Sequence, residues 1–152
     1  MSYIGTSKVG GMYLGDTKIA KAYLGDNLVY SSEPPIDYSS TEGWKFDVRY
    51  NSYGETAASG CCVTKYYDVN PGDVIKYIVG SPSPNLGVFY MTNQGTKKFL
   101  GWAYKHTTVA GNVTMPNNCV QVSFSMDTNR LDYNYVLNTT TGKYLYKGRL
   151  VS

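Results

Sequence analysis

A chain of 152 residues with 16 tyrosines, 16 glycines and only 16% charged residues has the composition of an all-β protein with many turns. Its net charge of +3 comes from scattered lysines and arginines, and this argues against the dense basic surface of a nucleic-acid-binding protein. No stretch approaches about 18 apolar residues and no basic start precedes an apolar run, so we expect neither a membrane-spanning segment nor a visible secretion signal.

The first thirty residues contain one motif repeated every ten residues. The three copies are Tyr3-Ile4-Gly5-Thr6, Tyr13-Leu14-Gly15-Asp16 and Tyr23-Leu24-Gly25-Asp26. The Gly-Asp pairs fit two-residue type II′ hairpin turns, because the first turn position needs a positive φ. The turns predict that Leu14 pairs with Thr17 and that Leu24 pairs with Asn27 in a short β-meander.

Both faces of this meander are apolar. One face carries Met12, Ile19, Tyr23, Leu28 and Tyr30, and the other carries Val9, Tyr13, Ala20, Ala22, Leu24 and Val29. A small sheet standing free in water needs at least one polar face. We therefore predict that residues 1–30 anchor the protein or join copies of it, although the C-terminal domain covering one face remains an alternative. The candidate contact residues are Val9, Met12, Tyr13, Leu14, Ile19, Tyr23, Leu24, Leu28, Val29 and Tyr30.

Residues 31–37 contain consecutive prolines and small polar residues, which predict a stiff linker before a domain over residues 38–152. In that domain, short alternating runs predict strands at 44–50, 62–69, 74–79, 86–92, 99–104, 120–126, 133–137 and 144–150. Strands of this length and spacing are typical of a β-sandwich of the jelly-roll type. The sequence Asn70-Pro71-Gly72-Asp73 predicts a tight turn with Gly72 in the left-handed region.

The three cysteines have no spacing typical of metal ligands. Cys61 and Cys62 are adjacent and would point to opposite faces of a strand, so at most one of them could meet Cys119. We predict buried free thiols, and the pairing of Cys61 or Cys62 with Cys119 stays open.

No constellation of residues indicates catalysis. His106 is the only histidine and lacks the companions of a catalytic triad. Asp127 and Asp132 form the best carboxylate pair for a glycosidase, but the polar stretch around them is more simply a turn. The same stretch lacks the glycine and the closing glutamate of a calcium loop. We therefore expect a non-enzymatic protein without catalytic residues, metal or cofactor.

Carbohydrate binding is the chemistry that the aromatic residues favour. A sugar stacks its apolar face on an exposed ring, while its hydroxyls need amides and carboxylates nearby. Most aromatic residues of a β-domain fill the core, and the runs around Trp44 and Trp102 resemble core strands. Our candidate sugar-binding residues are Tyr53, Trp102 and Tyr104.

Two segments carry a resemblance to a known class of proteins. The stretch from Tyr67 to Tyr77 with its Pro-Gly-Asp turn, followed by Val88-Phe89-Tyr90 and Phe99-Leu100-Gly101-Trp102, resembles β-sandwich modules of bacteriophage fibre and baseplate proteins. The Tyr-Leu-Gly-Asp repeat resembles stretches at the starts of phage structural proteins from gut bacteria, or between their modules. The resemblance implies a virion protein with an N-terminal attachment or trimerisation element.

The resulting expectation is a bacteriophage virion structural protein, assembled in the host cytoplasm, that serves as a head fibre, a capsid decoration or a tail fibre. Its expected partners are copies of itself in a homotrimer, other virion proteins and host surface polysaccharide, with neither nucleic acid nor membrane among them. Head and tail locations stay open. The main alternative is a carbohydrate-binding module of a bacterial protein, and a small glycan-cleaving enzyme is a more remote one.

Overall fold

The computed structural model describes residues 2–4, 7–9, 12–14, 17–19, 21–31, 36–80, 85–105 and 110–152, with side chains for 21–27 and for the described residues from 36 onward. The chain divides into two compact units, Met1–Asp37 and Tyr38–Ser152. The division lies at the end of the predicted linker, of which residues 32–35 lie outside the described part. The predicted all-β class is confirmed, since the described elements are sixteen strands and one short 3-10 helix.

The N-terminal unit contains three antiparallel hairpins. They pair β1 (Ser2–Ile4) with β2 (Ser7–Val9), β3 (Met12–Leu14) with β4 (Thr17–Ile19), and β5 (Lys21–Leu24) with β6 (Asn27–Ser31). The predicted pairings of Leu14 with Thr17 and of Leu24 with Asn27 are confirmed. Gly25 has φ +62°, as the first position of a type II′ turn requires.

The predicted short meander takes the form of three two-stranded hairpins in the described residues. Among the described residues no ladder joins one hairpin to the next, although β1 and β6 lie in contact. Only Ala20 separates β4 from β5, and the shortest common hairpin connection has two residues. A bulge between Ala22 and Tyr23 also places Tyr30 opposite Ala22, whereas the sequence pattern assigned those two residues to opposite faces.

The C-terminal unit is a domain of two antiparallel sheets. Its strands are β7 (Lys45–Asn51), β8 (Gly54–Val63), β9 (Tyr67–Asp68), β10 (Val74–Ile78), β11 (Leu86–Thr92), β12 (Lys97–Tyr104), β13 (Ala110–Thr114), β14 (Cys119–Asp127), β15 (Tyr135–Asn138) and β16 (Lys143–Lys147). The larger sheet has the order β12-β11-β14-β8-β7, with β9 also paired to β14, and the smaller has the order β13-β10-β15-β16. The main core contains residues of both sheets, as the Tyr77 and Phe124 rings show with centroids 5.4 Å apart.

The strand predictions fail where small or polar residues form the strand. The sequence pattern missed β13 and the first part of β8, because alanines, glycines and serines there lack an apolar alternation. The strand expected from Tyr133 begins at Tyr135, since Thr128–Tyr133 form the 3-10 helix. The predicted turn is confirmed: Gly72 has φ +82°, and the Asp73 N–H donates to the Asn70 carbonyl over 3.1 Å.

The β7–β8 hairpin is sharply bent near its middle. Its ladder runs regularly to the pair Phe46–Cys62 and resumes at Val48–Ala57, so several residues of β8 are left out of the pairing. Asp47 has φ +57° and Gly60 has φ +76° at this point. We call the part beyond the bend, residues 48–57, the hairpin arm.

The hairpin arm folds back over the outer face of the larger sheet. The Tyr50 N–H donates to Ser125 Oγ over 2.7 Å, and the Tyr50 hydroxyl lies 3.0 Å from Ser123 Oγ. Ser123 and Ser125 alternate along β14 with core residues, so they face away from the main core. The larger sheet is therefore covered on both sides in this region.

Candidate functional site

A second, smaller aromatic cluster lies beneath the hairpin arm. Tyr50 and Phe89 stack with centroids 4.7 Å apart, Phe89 meets Phe99 at 5.7 Å, and Phe99 meets Trp102 at 5.1 Å. Phe99 and Trp102 are three residues apart and would face opposite sides of a regular strand. A bulge between Val88 and Phe89 in the pairing with β12 places both rings on the outer face.

Gly87 permits the close approach of the arm to the sheet. A Cβ atom at this position would lie 2.9 Å from both the Cβ and the carbonyl oxygen of Tyr50. Any larger residue would therefore push the arm away from the sheet.

The arm and the sheet enclose an open cleft with two adjoining lobes, of about 290 and about 200 Å³. We call it the arm cleft. Tyr50, Glu55, Tyr66 and Lys97 line both lobes. The larger lobe adds Tyr53, Gly54 and Phe89, and the smaller adds Gly43, Lys45, Val63, Thr64 and Lys65. Aromatic rings, one carboxylate and several ammonium groups thus converge on one concave surface.

The Tyr66 hydroxyl is buried, and its hydrogen-bonding neighbour among the described residues is the Tyr50 side chain, which lies outside normal hydrogen-bond geometry. Burial, and next the neighbouring Tyr50, raise the pKa of Tyr66, so its hydroxyl keeps its proton at neutral pH and remains a donor. Buried polar groups in native structures are nearly always paired, and an exception needs an explanation.

The charges of the arm cleft are unevenly paired. Lys45 Nζ lies 2.8 and 2.9 Å from the two oxygens of Glu55, and this hydrogen-bonded pair raises the pKa of Lys45. Lys97 Nζ lies 5.4 Å from the centroid of the Tyr66 ring, and Lys65 Nζ lies 5.7 Å from that of Tyr67. Within the described part of the chain, neither Lys65 nor Lys97 has a carboxylate within ion-pair distance.

The three candidate sugar-binding residues occupy different environments. Tyr53 lies at the tip of the hairpin arm, is 96% exposed and lines the arm cleft. Trp102 is half-buried at the end of the outer ring stack and does not line the cleft. Tyr104 is only 9% exposed and packs in the main core, so its ring offers no face to a ligand and it leaves the candidate set.

The candidate sugar-binding set predicted from the sequence did not include Tyr50, Glu55, Tyr66, Phe89 or Lys97. One signal for Tyr66 was present, because Tyr66 and Tyr67 are adjacent and Tyr67 is buried in the main core. Consecutive strand residues point to opposite sides, so a buried Tyr67 directs Tyr66 outward. No local signal predicts the bend that brings Glu55 over the sheet.

Two of the ten predicted oligomerisation residues have described side chains. Tyr23 is 60% exposed and Leu24 is 74% exposed. They are consecutive residues of β5, so each face of this strand carries an exposed apolar side chain. The side chains of Val9, Met12, Tyr13, Leu14, Ile19, Leu28, Val29 and Tyr30 lie outside the described part.

All three cysteines are free thiols, and their predicted burial is confirmed. Cys62 Sγ lies 3.7 Å from the Met126 carbonyl oxygen, and Cys119 Sγ lies 3.4 Å from that of Gln121. Burial raises the pKa of Cys62 to about 12. These thiols are therefore protonated core side chains at neutral pH.

The carboxylate pair considered for catalysis has structural roles. Asp127 is buried and its Oδ1 accepts the Asn129 N–H over 2.9 Å, which caps the 3-10 helix. Asp132 lies 3.5 Å from Arg149. His106 lies outside the described residues. In the part of the chain that the structure describes, no group of three or more metal-ligating side chains comes together, and no helix has the length and apolarity to span a membrane.

No protein-family model matches this chain, and neither a curated protein nor a solved structure matches it. The structure by itself defines an all-β protein that joins a unit of three hairpins to a domain of two antiparallel sheets.

Proposed function

We propose that the protein is a non-enzymatic structural protein of a bacteriophage virion. The Met1–Asp37 unit joins three copies of the chain and attaches them to other virion proteins. The Tyr38–Ser152 domain presents the arm cleft to host surface polysaccharide. The protein assembles in the host cytoplasm and serves as a fibre or decoration of the head or as a tail fibre.

The observation that carries this proposal is the exposure of Tyr23 and Leu24 on opposite faces of one strand. Fully burying an apolar side chain of this size stabilises an assembly by about 1.5–3 kcal/mol. Two-stranded hairpins are marginal in water and gain stability by packing on further strands. Copies of the same chain supply such strands, and the resemblance of the repeat to phage attachment elements favours a trimer.

A carbohydrate-binding module of a bacterial protein is the second candidate. The arm cleft favours it, because the cleft and both hydrophobic clusters belong to the Tyr38–Ser152 domain alone. Capsid, portal or tail genes beside this gene support the virion proposal, whereas a polysaccharide-utilisation operon there supports the module.

Light scattering on the full chain tests the assembly. At micromolar concentration we expect three times the 16.8 kDa mass of one chain, and we expect a monomer for the double variant Tyr23→Ser/Leu24→Ser. Both residues are exposed, so their replacement leaves the fold of one chain intact. Tyr133→Ser, an exposed tyrosine of the other unit, is the control and keeps the trimer. A monomeric unmodified protein refutes self-assembly.

A further inference from the structure

We propose that the arm cleft binds an acidic saccharide, in which Tyr66 and Lys97 hold the carboxylate of a uronic-acid unit while Tyr53 stacks on its ring. This inference rests on the saccharide-binding part of the proposed function and adds the chemical class of the ligand. Its three elements are a weakly paired donor, a cation without a carboxylate partner and an exposed ring at one cleft.

The charge balance of the cleft favours an anion. Three lysines and one glutamate line it, and Glu55 already accepts two hydrogen bonds from Lys45. The ammonium of Lys97 is left without a carboxylate among the described residues. Because Lys97 lines both lobes, an anionic group in either lobe meets this charge.

The Tyr66 hydroxyl selects an acceptor. A buried donor that is only weakly paired is unfavourable, and a ligand oxygen that accepts its hydrogen bond removes this penalty. A carboxylate accepts such a bond more strongly than a neutral hydroxyl does. Lys97 lies over the ring of this same tyrosine, so the donor and the cation belong to one local surface.

The saccharide character comes from the aromatic lining and the size of the cleft. Tyr53 projects from the arm tip with nearly all of its surface free, as a ring that stacks on a pyranose must. The two lobes, of about 290 and about 200 Å³, are each smaller than the roughly 300–1,000 Å³ of typical small-molecule sites. A cleft of this size suits one or two sugar units of a longer chain.

Calorimetry with matched oligosaccharides tests the inference on the full-length protein. The probes are tetragalacturonic acid, a glucuronate-containing hyaluronan tetrasaccharide and a mannuronate tetramer, each beside its methyl ester, which keeps the rings and removes the charge. At low salt we expect at least one acid to bind roughly tenfold more tightly than its ester. This preference should shrink in 0.5 M salt, because the attraction to Lys97 is screened.

Single variants separate the three roles. Lys97→Gln should abolish most of the preference for the acid, so that acid and ester bind with similar affinity. Tyr66→Phe removes one hydroxyl and should weaken acid binding roughly five- to tenfold, whereas Tyr53→Ala should weaken acid and ester alike. Lys76→Gln, an exposed lysine of the smaller sheet outside the cleft, is the matched control and should change neither.

Each negative result of the binding experiments overturns a different part of the proposals. Equal binding of acids and esters overturns the acidic class and leaves saccharide binding intact. Absence of binding to every probe by a protein that still forms trimers overturns the sugar-binding role and leaves the assembly intact. Tight competition by inorganic phosphate, with no difference between acid and ester, means that the cleft is a general anion site, which also overturns the inference.

Discussion

The two units of the chain use similar short strands in opposite ways. In the Tyr38–Ser152 domain the buried aromatic residues lie between two sheets or beneath the hairpin arm. In the third hairpin of the Met1–Asp37 unit, Ala22 alone among residues 21–27 is shielded in part from solvent. Tyrosine-rich strands therefore do not make a core by themselves. They need a second layer, which the chain supplies in the Tyr38–Ser152 domain and which we propose other molecules supply at the third hairpin.

The largest expected effect comes from removing the contact between the two sheets. Phe124 is fully buried and its ring packs on Tyr77, so Phe124→Ala should lower the free energy of unfolding by about 3–5 kcal/mol. Urea denaturation followed by tryptophan fluorescence measures this. Val120→Ala, at a partly exposed position of the same strand, is the control and should cost less than about 1 kcal/mol.

Phe124→Ala should leave the oligomeric state unchanged although it lowers the free energy of unfolding. Under conditions in which Phe124→Ala is still folded, light scattering should give the same mass as for the unmodified protein. A monomeric Phe124→Ala would contradict the proposal that the Met1–Asp37 unit mediates assembly independently of the core of the Tyr38–Ser152 domain.

A smaller loss of stability is expected where the hairpin arm covers the outer face of the larger sheet. Gly87→Ala places a methyl group against the backbone of Tyr50, so the hairpin arm must lift, at a cost of about 1–3 kcal/mol. Thermal unfolding measures the loss, and saccharide binding at the arm cleft should weaken with it. Gly101→Ala is the control, because nothing lies within 4 Å of a Cβ atom there. Equal losses in the two variants would show that the arm does not depend on Gly87.

A further effect, confined to pH values above 9, is a dependence of stability on alkaline pH. Burial raises the pKa of Cys62 from 9.0 to about 12, so folding favours the protonated thiol. The stabilisation is complete below pH 9 and declines as the pH rises toward 12, with a slope of about 1.4 kcal/mol per pH unit for this thiol. Denaturation under reducing conditions should show a shallower decline for Cys62→Ala.

The dependence on alkaline pH that Cys62 causes should affect the stability of the Tyr38–Ser152 domain and not the assembly of the hairpins. The Met1–Asp37 unit contains no cysteine. Assembly through the hairpins should therefore respond identically to pH in the unmodified protein and in Cys62→Ala. A slope that Cys62→Ala leaves unchanged would mean that other groups, such as the buried tyrosines, account for the whole decline.

The features that the sequence predicted correctly are local ones. The turn geometries at Gly25 and Gly72 follow from the ability of glycine to adopt a positive φ, which one residue decides without help from the rest of the chain. The β class follows from composition and from the two-residue period of the apolar runs. Burial of the thiols follows from the strong tendency of free cysteine to lie in cores.

One residue of the candidate site was also predicted from the sequence. Tyr53 was among the candidate sugar-binding residues, and the structure places it at the arm tip with its ring exposed. Tyr104 was misplaced because a strand pattern does not reveal which of its two faces meets the core. The face of a strand that becomes buried is decided by the sheet that packs against that strand, and this sheet comes from distant parts of the chain.

The amino-acid sequence alone thus established a β protein with an apolar N-terminal repeat, defined turns and buried thiols, because single-residue preferences and short-range periodicity control these features. Tertiary structure alone decided the separation of the repeat into three hairpins, the bulge that aligns Phe99 with Trp102, and the bend at Asp47 and Gly60 that creates the arm cleft. Bulges and bends depend on the packing of strands far apart in sequence, so no local pattern records them.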